Sequence, residues 1–484
     1  MLATNLVRRL PAVRCLATSS PTKIVLDNPY SGDIVCEVPL SSEAESDRVV
    51  AAAASAQAEW ANAPLQDRMD VCLRFVDAMK AEGGAVAESI SQQMGKPLKQ
   101  ALGEIGGLEE RALGMIGLAQ EVLSPTELPG EADTGLRRRI TRHPVGVVLN
   151  IAPFNYPLIT AVNCIVPSIL AGNAVVLKPS PRTPLVAEAF RAAFEAAGAP
   201  PGLLSPLHCS NAVTEHVLRN PKVSAVSFTG SVDVGHHVSR VTSARFINTT
   251  LELGGKDAAY VASDAQVAAA AEGLIDGAFY NAGQSCCSIE RVYVHSSVYE
   301  DFLEAMVELG KGYVLGDPLD DATTMGPMAS PAAPGFLEEQ VNEAVEHGAR
   351  LLIGGEACMD GAGNGRFFAP TIVADADHGM SIMTEESFGP VVAISAVEDD
   401  EEAVERINDS QYGLTAAVFS SDADRAERLA PRLQAGTVFL NRCDYLDPLL
   451  PWSGVKDSGL GASLSRFGFD GVTRLQSHNF RLPQ

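Results

Sequence analysis

Between Met1 and Leu26 there is no acidic residue, although the 484-residue chain as a whole carries 60 Asp and Glu against 36 Lys and Arg. Arg8, Arg9, Arg14 and Lys23 stand among Leu2, Leu6, Val7, Leu10, Val13 and Leu16, with Thr18-Ser19-Ser20 following. That is the composition of a mitochondrial presequence. Residues 1–21 are therefore expected to direct the protein to the mitochondrial matrix and to leave with Cys15; a disordered tail is the alternative. None of the nine cysteines stands at CxxC spacing, which excludes a small secreted disulfide scaffold and fits a reducing compartment. HExxH and Cys/His clusters are missing, and His236-His237 are adjacent, so no structural metal is expected. A net charge of −24 argues against a nucleic-acid partner. The basic run Arg137-Arg138-Arg139 with Arg142 reads as a solvated strand edge. Val145 to Leu177 is the most apolar region, yet Pro153, Asn155, Pro157, Asn163, Pro167, Gly172 and Asn173 interrupt it, which excludes membrane insertion there.

A chain of this length implies two or three domains. Lys23 to Glu37 alternates around Asn28-Pro29 and Ser31-Gly32 and reads as a hairpin. Ser42-x-x-Glu45 is a capping box for a helix through Ala61; helical runs follow over about Asp67–Met79, Val86–Met94 and Leu102–Val122. From Gly146 onward strands and helices alternate. Gly146–Ala152, Ala174–Leu177, Val223–Phe228, Phe246–Leu253 and Ala258–Val261 read as strands. Leu158–Ala171, Pro184–Ala197 and Val232–Val241 read as helices. Buried apolar strands separated by helices predict a doubly wound α/β domain. The alternation resumes after Asp264 with a helix to Asn281, strand Val292–His295, helix Val298–Gly310 and strand Arg350–Ile353, predicting a second α/β domain beyond Gly254-Gly255.

Three short stretches carry candidate chemistry. Asn155, between Pro153 and Pro157, sits on a stiff loop where an amide can meet a developing oxyanion; by itself such an Asn is usually a turn former. Glu252, between leucines at a strand end, is placed to be a desolvated base, although alone it reads as an edge glutamate. Cys286 follows the helix-ending Gly283 and could be a nucleophile or a buried small residue.

Together with other motifs, in order and spacing, these stretches resemble the aldehyde dehydrogenase superfamily. The motifs are Pro-Phe-Asn at 153–155, Val-Leu-Lys-Pro-Ser at 176–180 and Phe-Thr-Gly-Ser-x-x-x-Gly at 228–235. Glu-Leu-Gly-Gly-Lys at 252–256, Gly-Gln-Ser-Cys at 283–286, Glu-Ser-Phe-Gly-Pro at 386–390 and Gly-Val-Lys-x-Ser-Gly at 454–459 complete the set. The resemblance spans about Asn28 to Asn479. It implies a Rossmann-like cofactor domain (22–120 and 145–254), a second α/β catalytic domain (255–457), and a small β oligomerisation arm with the C-terminal tail (121–144 and 458–484). Cys286 would be the nucleophile that forms a thiohemiacetal, and the Asn155 amide with the Cys286 N–H would hold the oxyanion. Glu252 would activate water to hydrolyse the thioester, releasing a free acid. The resemblance also implies NAD or NADP as cofactor. Lys178 and Ser180 would lie at the adenosine ribose, Gly230, Ser231, Gly235 and Leu253 near the pyrophosphate, and Glu386 and Phe388 at the nicotinamide end. A homodimer or homotetramer is implied as well.

Two departures bear on cofactor and substrate. NAD-preferring members usually carry a glutamate three residues after the lysine; here Pro181 stands there, and Arg182 beside it could attract a 2′-phosphate. In the expected tunnel, near Tyr156, Ile159, Thr160, Asn163, Ser285, Cys287 and residues 442–446, Asn163 replaces a large aromatic. Arg442 could pair with a semialdehyde carboxylate or be balanced by Asp444. A semialdehyde thus competes with a general aliphatic or aromatic aldehyde. Outside this reaction class, the alternatives are a non-catalytic binding role on the same fold and a cysteine-dependent ester hydrolase.

Overall fold

Two sheets of buried, mostly parallel strands organise the protein in a computed structural model that describes residues 19–20, 22–129 and 135–482. The presequence expected over residues 1–21 lies outside these apart from Ser19–Ser20, which pairs with Lys23–Asp27. The first sheet has six strands in the order Gly459–Leu460, Asn248–Glu252, Val223–Thr229, Val147–Ile151, Ala174–Lys178 and Leu204–Pro206. All neighbours are parallel except Gly459–Leu460, which runs antiparallel along Leu251 and Glu252. Every residue of Val147–Ile151 and Ala174–Lys178 is buried, as strands covered on both faces require.

Chain order places the site. The sheet starts at Val147–Ile151, grows to one side through Ala174–Lys178, then returns to the other side with Val223–Thr229. Beyond the carboxyl ends of strands at such a reversal a crevice opens for ligands. Ile151 is level with Lys178 and with Phe228, and Glu252 with Thr229. Asn155, Lys178, Gly230 and Glu252 therefore gather at one end of this sheet.

The second sheet has seven strands: Arg350–Ile353, Thr371–Ala374, Val391–Val397, Ile289–His295, Asp257–Val261, Thr415–Phe419 and Thr437–Leu440. Only Arg350–Ile353 runs antiparallel to its neighbour. Sequence periodicity identifies three of these strands and misses the four in the last third of the chain. Each sheet anchors its own large apolar core.

A third, antiparallel sheet places Leu136–Pro144 between Thr473–Arg481 and Thr126–Leu128. Arg137 to Arg139 thus lie on a middle strand, not on the edge expected from their charge. Local partners make this possible: Arg138 Nη2 donates to Pro129 O at 2.7 Å, and Arg142 pairs with Asp470 at 2.7 Å. No helix among the described residues is long and apolar enough to cross a membrane.

Candidate active site

The loop carrying Asn155 leads into the helix Pro157–Ala171, which has proline at its first turn and no side-chain cap from Tyr156. Glu104, from the helix Leu98–Leu123, supplies the missing acceptor. Its Oε1 takes the Leu158 N–H at 2.7 Å and the Ile159 N–H at 3.3 Å. Its Oε2 pairs with Lys96 Nζ at 2.7 Å, both side chains buried, and that ammonium stands 3.9 Å from the centroid of the Tyr156 ring. A carboxylate at a helix N-terminus is favourable, and a buried one persists only when paired and hydrogen-bonded. The loop before the helix is held accordingly, with Asn155 buried and its Nδ2 donating to Gln284 O at 3.1 Å.

Gln284 belongs to the cysteine loop, whose entry is strained. Asn281, Ala282 and Gly283 have φ of 54°, 54° and 66°, three left-handed residues in a row, each non-glycine one costing about 1–2 kcal/mol. Hydrogen bonds over-determine this turn. Asn281 Nδ2 donates to Asn155 O and Gln284 O, both at 3.2 Å, and its N–H donates to Gln100 Oε1 at 3.0 Å. Gln284 Nε2 returns a bond to Asn281 O at 3.1 Å, while its Oε1 accepts from Ala329 N at 2.9 Å. Among the described residues the Cys286 N–H has no hydrogen-bond partner.

The two neighbouring cysteines differ. Cys286 is partly exposed and Cys287 is buried. Cys287 Sγ donates to Asp444 Oδ1 at 2.8 Å. Its hydrogen bond with Cys286, its burial and the Asp444 charge push its thiol well above the ordinary range. Asp444 therefore faces Cys287, and of the two readings of Arg442, balance by Asp444 is the one the structure does not show. Arg442 instead lies over the Tyr445 ring, 3.9 Å from its centroid.

Glu252 ends its strand with Ser463 Oγ donating to its Oε1 and Thr229 Oγ1 to its Oε2, the latter at 3.3 Å. Burial raises its pKa above the ordinary glutamate value, opposed by Ser463, Arg111 and Thr229. The glycines after it allow close approach: a Cβ on Gly255 would collide with the Cys286 carbonyl oxygen, and one on Gly254 with the Glu386 carboxyl. Next, Lys256 pairs with Glu290 at 2.6 Å in the interior, and Glu290 accepts the N–H groups of Ser387 at 2.8 Å and Phe388 at 2.9 Å. Phe388 is thereby kept at φ 52°, its ring edge-on to Phe154 at 5.9 Å. Glu386 Oε1 accepts from Gly255 N at 3.2 Å, and burial, with Glu290 adding to it, pushes its carboxyl up to about 8.

At the far end of the crevice Lys178 closes its strand, 7% exposed. Burial lowers its pKa, and no carboxylate among the described residues pairs with it. Ser180 Oγ accepts from Arg182 N at 3.2 Å in a local turn. The Arg182 guanidinium, expected to attract a phosphate, is engaged by Asp27 instead. Its Nη1 pairs with Asp27, its Nη2 donates to Asp27 O at 2.6 Å, and Arg366 takes the other carboxylate oxygen at 2.7 Å. Against the raising effect of burial, the two arginines bring Asp27 down to about 2. Gly230 N donates to Glu252 O at 3.1 Å. A Cβ on Gly235 would come within 2.6 Å of the Leu253 side chain. The Ser231 hydroxyl makes no capping bond to the helix Val232–Thr242, so the first-turn N–H groups remain for an anion. An unpaired buried ammonium and an open helix N-terminus at one sheet end fit a dinucleotide.

Sequence reasoning missed Lys96, Glu104, Arg111, Glu290 and Ser463, and it named Asp444 only as a partner for Arg442. Glu104, Arg111 and Glu290 stand at buried positions within otherwise regular helices or strands, and Lys96 in the short loop between two helices; a charged residue in an apolar setting is the signal that could have found them. Ser463 lies in an irregular segment that offers none.

The aldehyde dehydrogenase family model matches residues 16–478. A succinate-semialdehyde dehydrogenase [NADP(+)] of Deinococcus radiodurans is 35% identical, covering 91% of each chain. Betaine aldehyde dehydrogenase 1 of Rhizobium meliloti is 33% identical over 93% of this chain and 92% of its own. Among solved structures, betaine aldehyde dehydrogenase of Staphylococcus aureus in complex with NAD+ superimposes with a TM-score of 0.91 at 30% identity, covering 96% of this chain and 93% of its own. With the α/β architecture and the crevice already described, these matches make the chain a member of the aldehyde dehydrogenase family, NAD(P)-dependent oxidoreductases that act on aldehydes.

Proposed function

We propose that the protein oxidises an aldehyde to the free carboxylic acid, with Cys286 as nucleophile and Glu252 as hydrolytic base. The observation that carries this reading is the bond from the Asn155 amide to the Gln284 carbonyl. It locks the amide loop to the cysteine loop, while the Cys286 N–H has no partner among the described residues. Two donors are thus preset for an oxyanion on a carbon attached to Cys286, and preorganised donors of this kind need no rearrangement during reaction. Lys178, Ser180, Ser231 and Glu386, with Phe388 beside the ring, would hold the dinucleotide, which would supply the hydride acceptor when bound. Cys286 attacks the carbonyl carbon, its thiol proton leaving to solvent. After oxidation the carbon is a thioester, and Glu252 takes a proton from water as it adds; the C–S bond then breaks to give acid and thiolate. Cys287, held protonated against Asp444, is the wrong sulfur for this step.

The aldehyde carries a carboxylate. Support comes from Arg442, stacked on Tyr445 and without an acidic partner among the described residues. The cofactor domain spans 22–120 and 145–254, the catalytic domain 255–457, and the arm with its tail 121–144 and 458–484, except that Gly459–Leu460 joins the cofactor-domain sheet. The exposed Leu475, Phe480 and Leu482 of that tail suit assembly as a dimer or tetramer. The acid-free N-terminus directs mitochondrial import, which a fused reporter checks. Rapid-quench kinetics over a panel of aldehydes, with NAD and NADP side by side, tests the chemistry. Cys286→Ala abolishes oxidation, whereas Cys287→Ala retains substantial activity; the reverse pattern assigns the nucleophile to the other sulfur. Arg442→Gln raises KM for semialdehydes and leaves neutral aldehydes unchanged; equal effects on both remove the carboxylate from the reading.

A further inference from the structure

Near Glu252 lies a small, mainly apolar cavity into which several hydroxyl and amide side chains reach. Side chains alternate along a strand, and the register sets Glu252 beside Thr229, and Thr250 beside Ser227. Thr250 and Ser227 therefore share a sheet face with Glu252, one step back from the strand ends where the Cys286 loop lies. Over this face, beneath the helix Pro157–Ala171, is a cavity of about 20 Å³ lined by Asn163, Cys164, Ser227, Thr250 and Ser463 among others. A single water needs roughly 10–15 Å³ and two to four polar partners, and these walls supply both. Ser463 connects the cavity to the base. Its N–H and C=O are both taken by Trp452, at 2.9 and 2.8 Å, which fixes the residue and leaves only its hydroxyl, bonded to Glu252.

We infer that the Ser463 hydroxyl and a water in this cavity carry the proton away from Glu252 after each hydrolysis, on the side opposite the substrate. The proton balance closes. When Glu252 takes a proton from the attacking water, its O–H donates to Ser463 Oγ, and the Ser463 hydroxyl proton passes to the cavity water and on to bulk. Glu252 returns to carboxylate, with no oxidant or other reactant needed. Two further groups face this carboxylate: the Arg111 guanidinium from the helix Leu98–Leu123 and the Cys164 thiol from Pro157–Ala171. Burial raises the Cys164 thiol to about 11, so it stays a neutral wall. Ser463 and Thr250 are positioning residues on this route, since neither is required to touch the aldehyde.

The inference rests on Glu252 being the hydrolytic base, and the test separates the two. Acyl-enzyme decay is followed by rapid quench in the full-length protein for Glu252→Gln, Ser463→Ala and Thr250→Val, the last isosteric and without contact to the Glu252 carboxylate. The expected result is an unchanged burst of reduced cofactor in all three. Acyl-enzyme decay is slowed by about a hundredfold or more in Ser463→Ala and Thr250→Val, the range of a lost proton transfer. Imidazole, a diffusible proton carrier, restores decay in Ser463→Ala. Wild-type decay in Glu252→Gln overturns the base itself. Slow decay in Glu252→Gln with wild-type decay in both other variants overturns the relay alone. Slow decay confined to Ser463→Ala without imidazole rescue reduces Ser463 to a structural contact and also overturns the relay.

Discussion

Two buried lysine–glutamate pairs, one serving each sheet, do the same job at opposite sides of the crevice. In the first, Lys96 and Glu104 lie 2.7 Å apart, and the carboxylate takes the Leu158 and Ile159 N–H groups behind Asn155. In the second, Lys256 and Glu290 lie 2.6 Å apart, and the carboxylate takes the Ser387 and Phe388 N–H groups beside Glu386. In each case the ion pair matters less as an attraction than as a way to keep a charged acceptor in the interior, where backbone donors would otherwise be orphaned. The difference is what each holds. Glu104 caps a regular helix that needs only an acceptor. Glu290 holds an irregular turn with a phenylalanine at φ 52°, and it has a second carboxyl, Glu386, close enough to feel its charge.

The largest expected effect comes from breaking either pair on the acid side. Glu104→Ala and Glu290→Ala each leave an uncompensated buried ammonium and two unsatisfied N–H groups, at a cost of about 3–5 kcal/mol; denaturant unfolding measures it. The pairs separate by function. Glu290→Gln weakens cofactor binding in a fluorescence titration, whereas Glu104→Gln leaves that affinity alone and slows acylation. The opposite assignment would dissolve the comparison. A smaller effect follows from removing both charges of the first pair as Lys96→Met with Glu104→Gln. The amide oxygen still accepts at the helix N-terminus, so the loss falls to about 1–3 kcal/mol, the range for a weakened buried hydrogen bond. A further effect is one of pH and belongs to the second pair. Glu386, pushed up to about 8 in the fold, binds its proton more tightly folded than unfolded. Its contribution is therefore fully present below the ordinary glutamate value and lost as pH rises toward 8. Relative to wild type, Glu386→Gln gains Tm over that window in the cofactor-free protein. Glu290→Gln, by removing a neighbouring charge, flattens the same slope.

The contrast also explains what could be read in advance. The helix after Asn155 and the glycine that ends it at Gly172 follow from local pattern, since periodicity and the αL cap are properties of a few neighbouring residues. Gly254-Gly255 is legible as a motif, but its purpose, passing Glu386 and the Cys286 carbonyl without a Cβ between, depends on residues more than thirty and more than a hundred positions away. Strands such as Thr371–Ala374 and Thr415–Phe419 escaped notice for a related reason. They are four or five residues long and buried throughout, so they show neither alternation nor length by which to be told from a buried helix segment. Arg182 shows the converse error: its place beside Lys178 in the chain suggested a phosphate ligand, and a strand more than 150 residues earlier had already claimed it through Asp27.

By itself the sequence determined the family resemblance with the aldehyde chemistry it implies, the α/β class, and the candidates Asn155, Glu252 and Cys286, because each rests on short motifs or periodicities whose residues act locally. Only the tertiary structure decided which side chains surround them: Asp444 on Cys287, Ser463 and Arg111 on Glu252, and a buried glutamate behind each loop. The physical reason is that pKa, hydrogen-bond satisfaction and close packing depend on neighbours in space. Those neighbours are brought together by the sheets, from segments that carry no mark of one another in the chain.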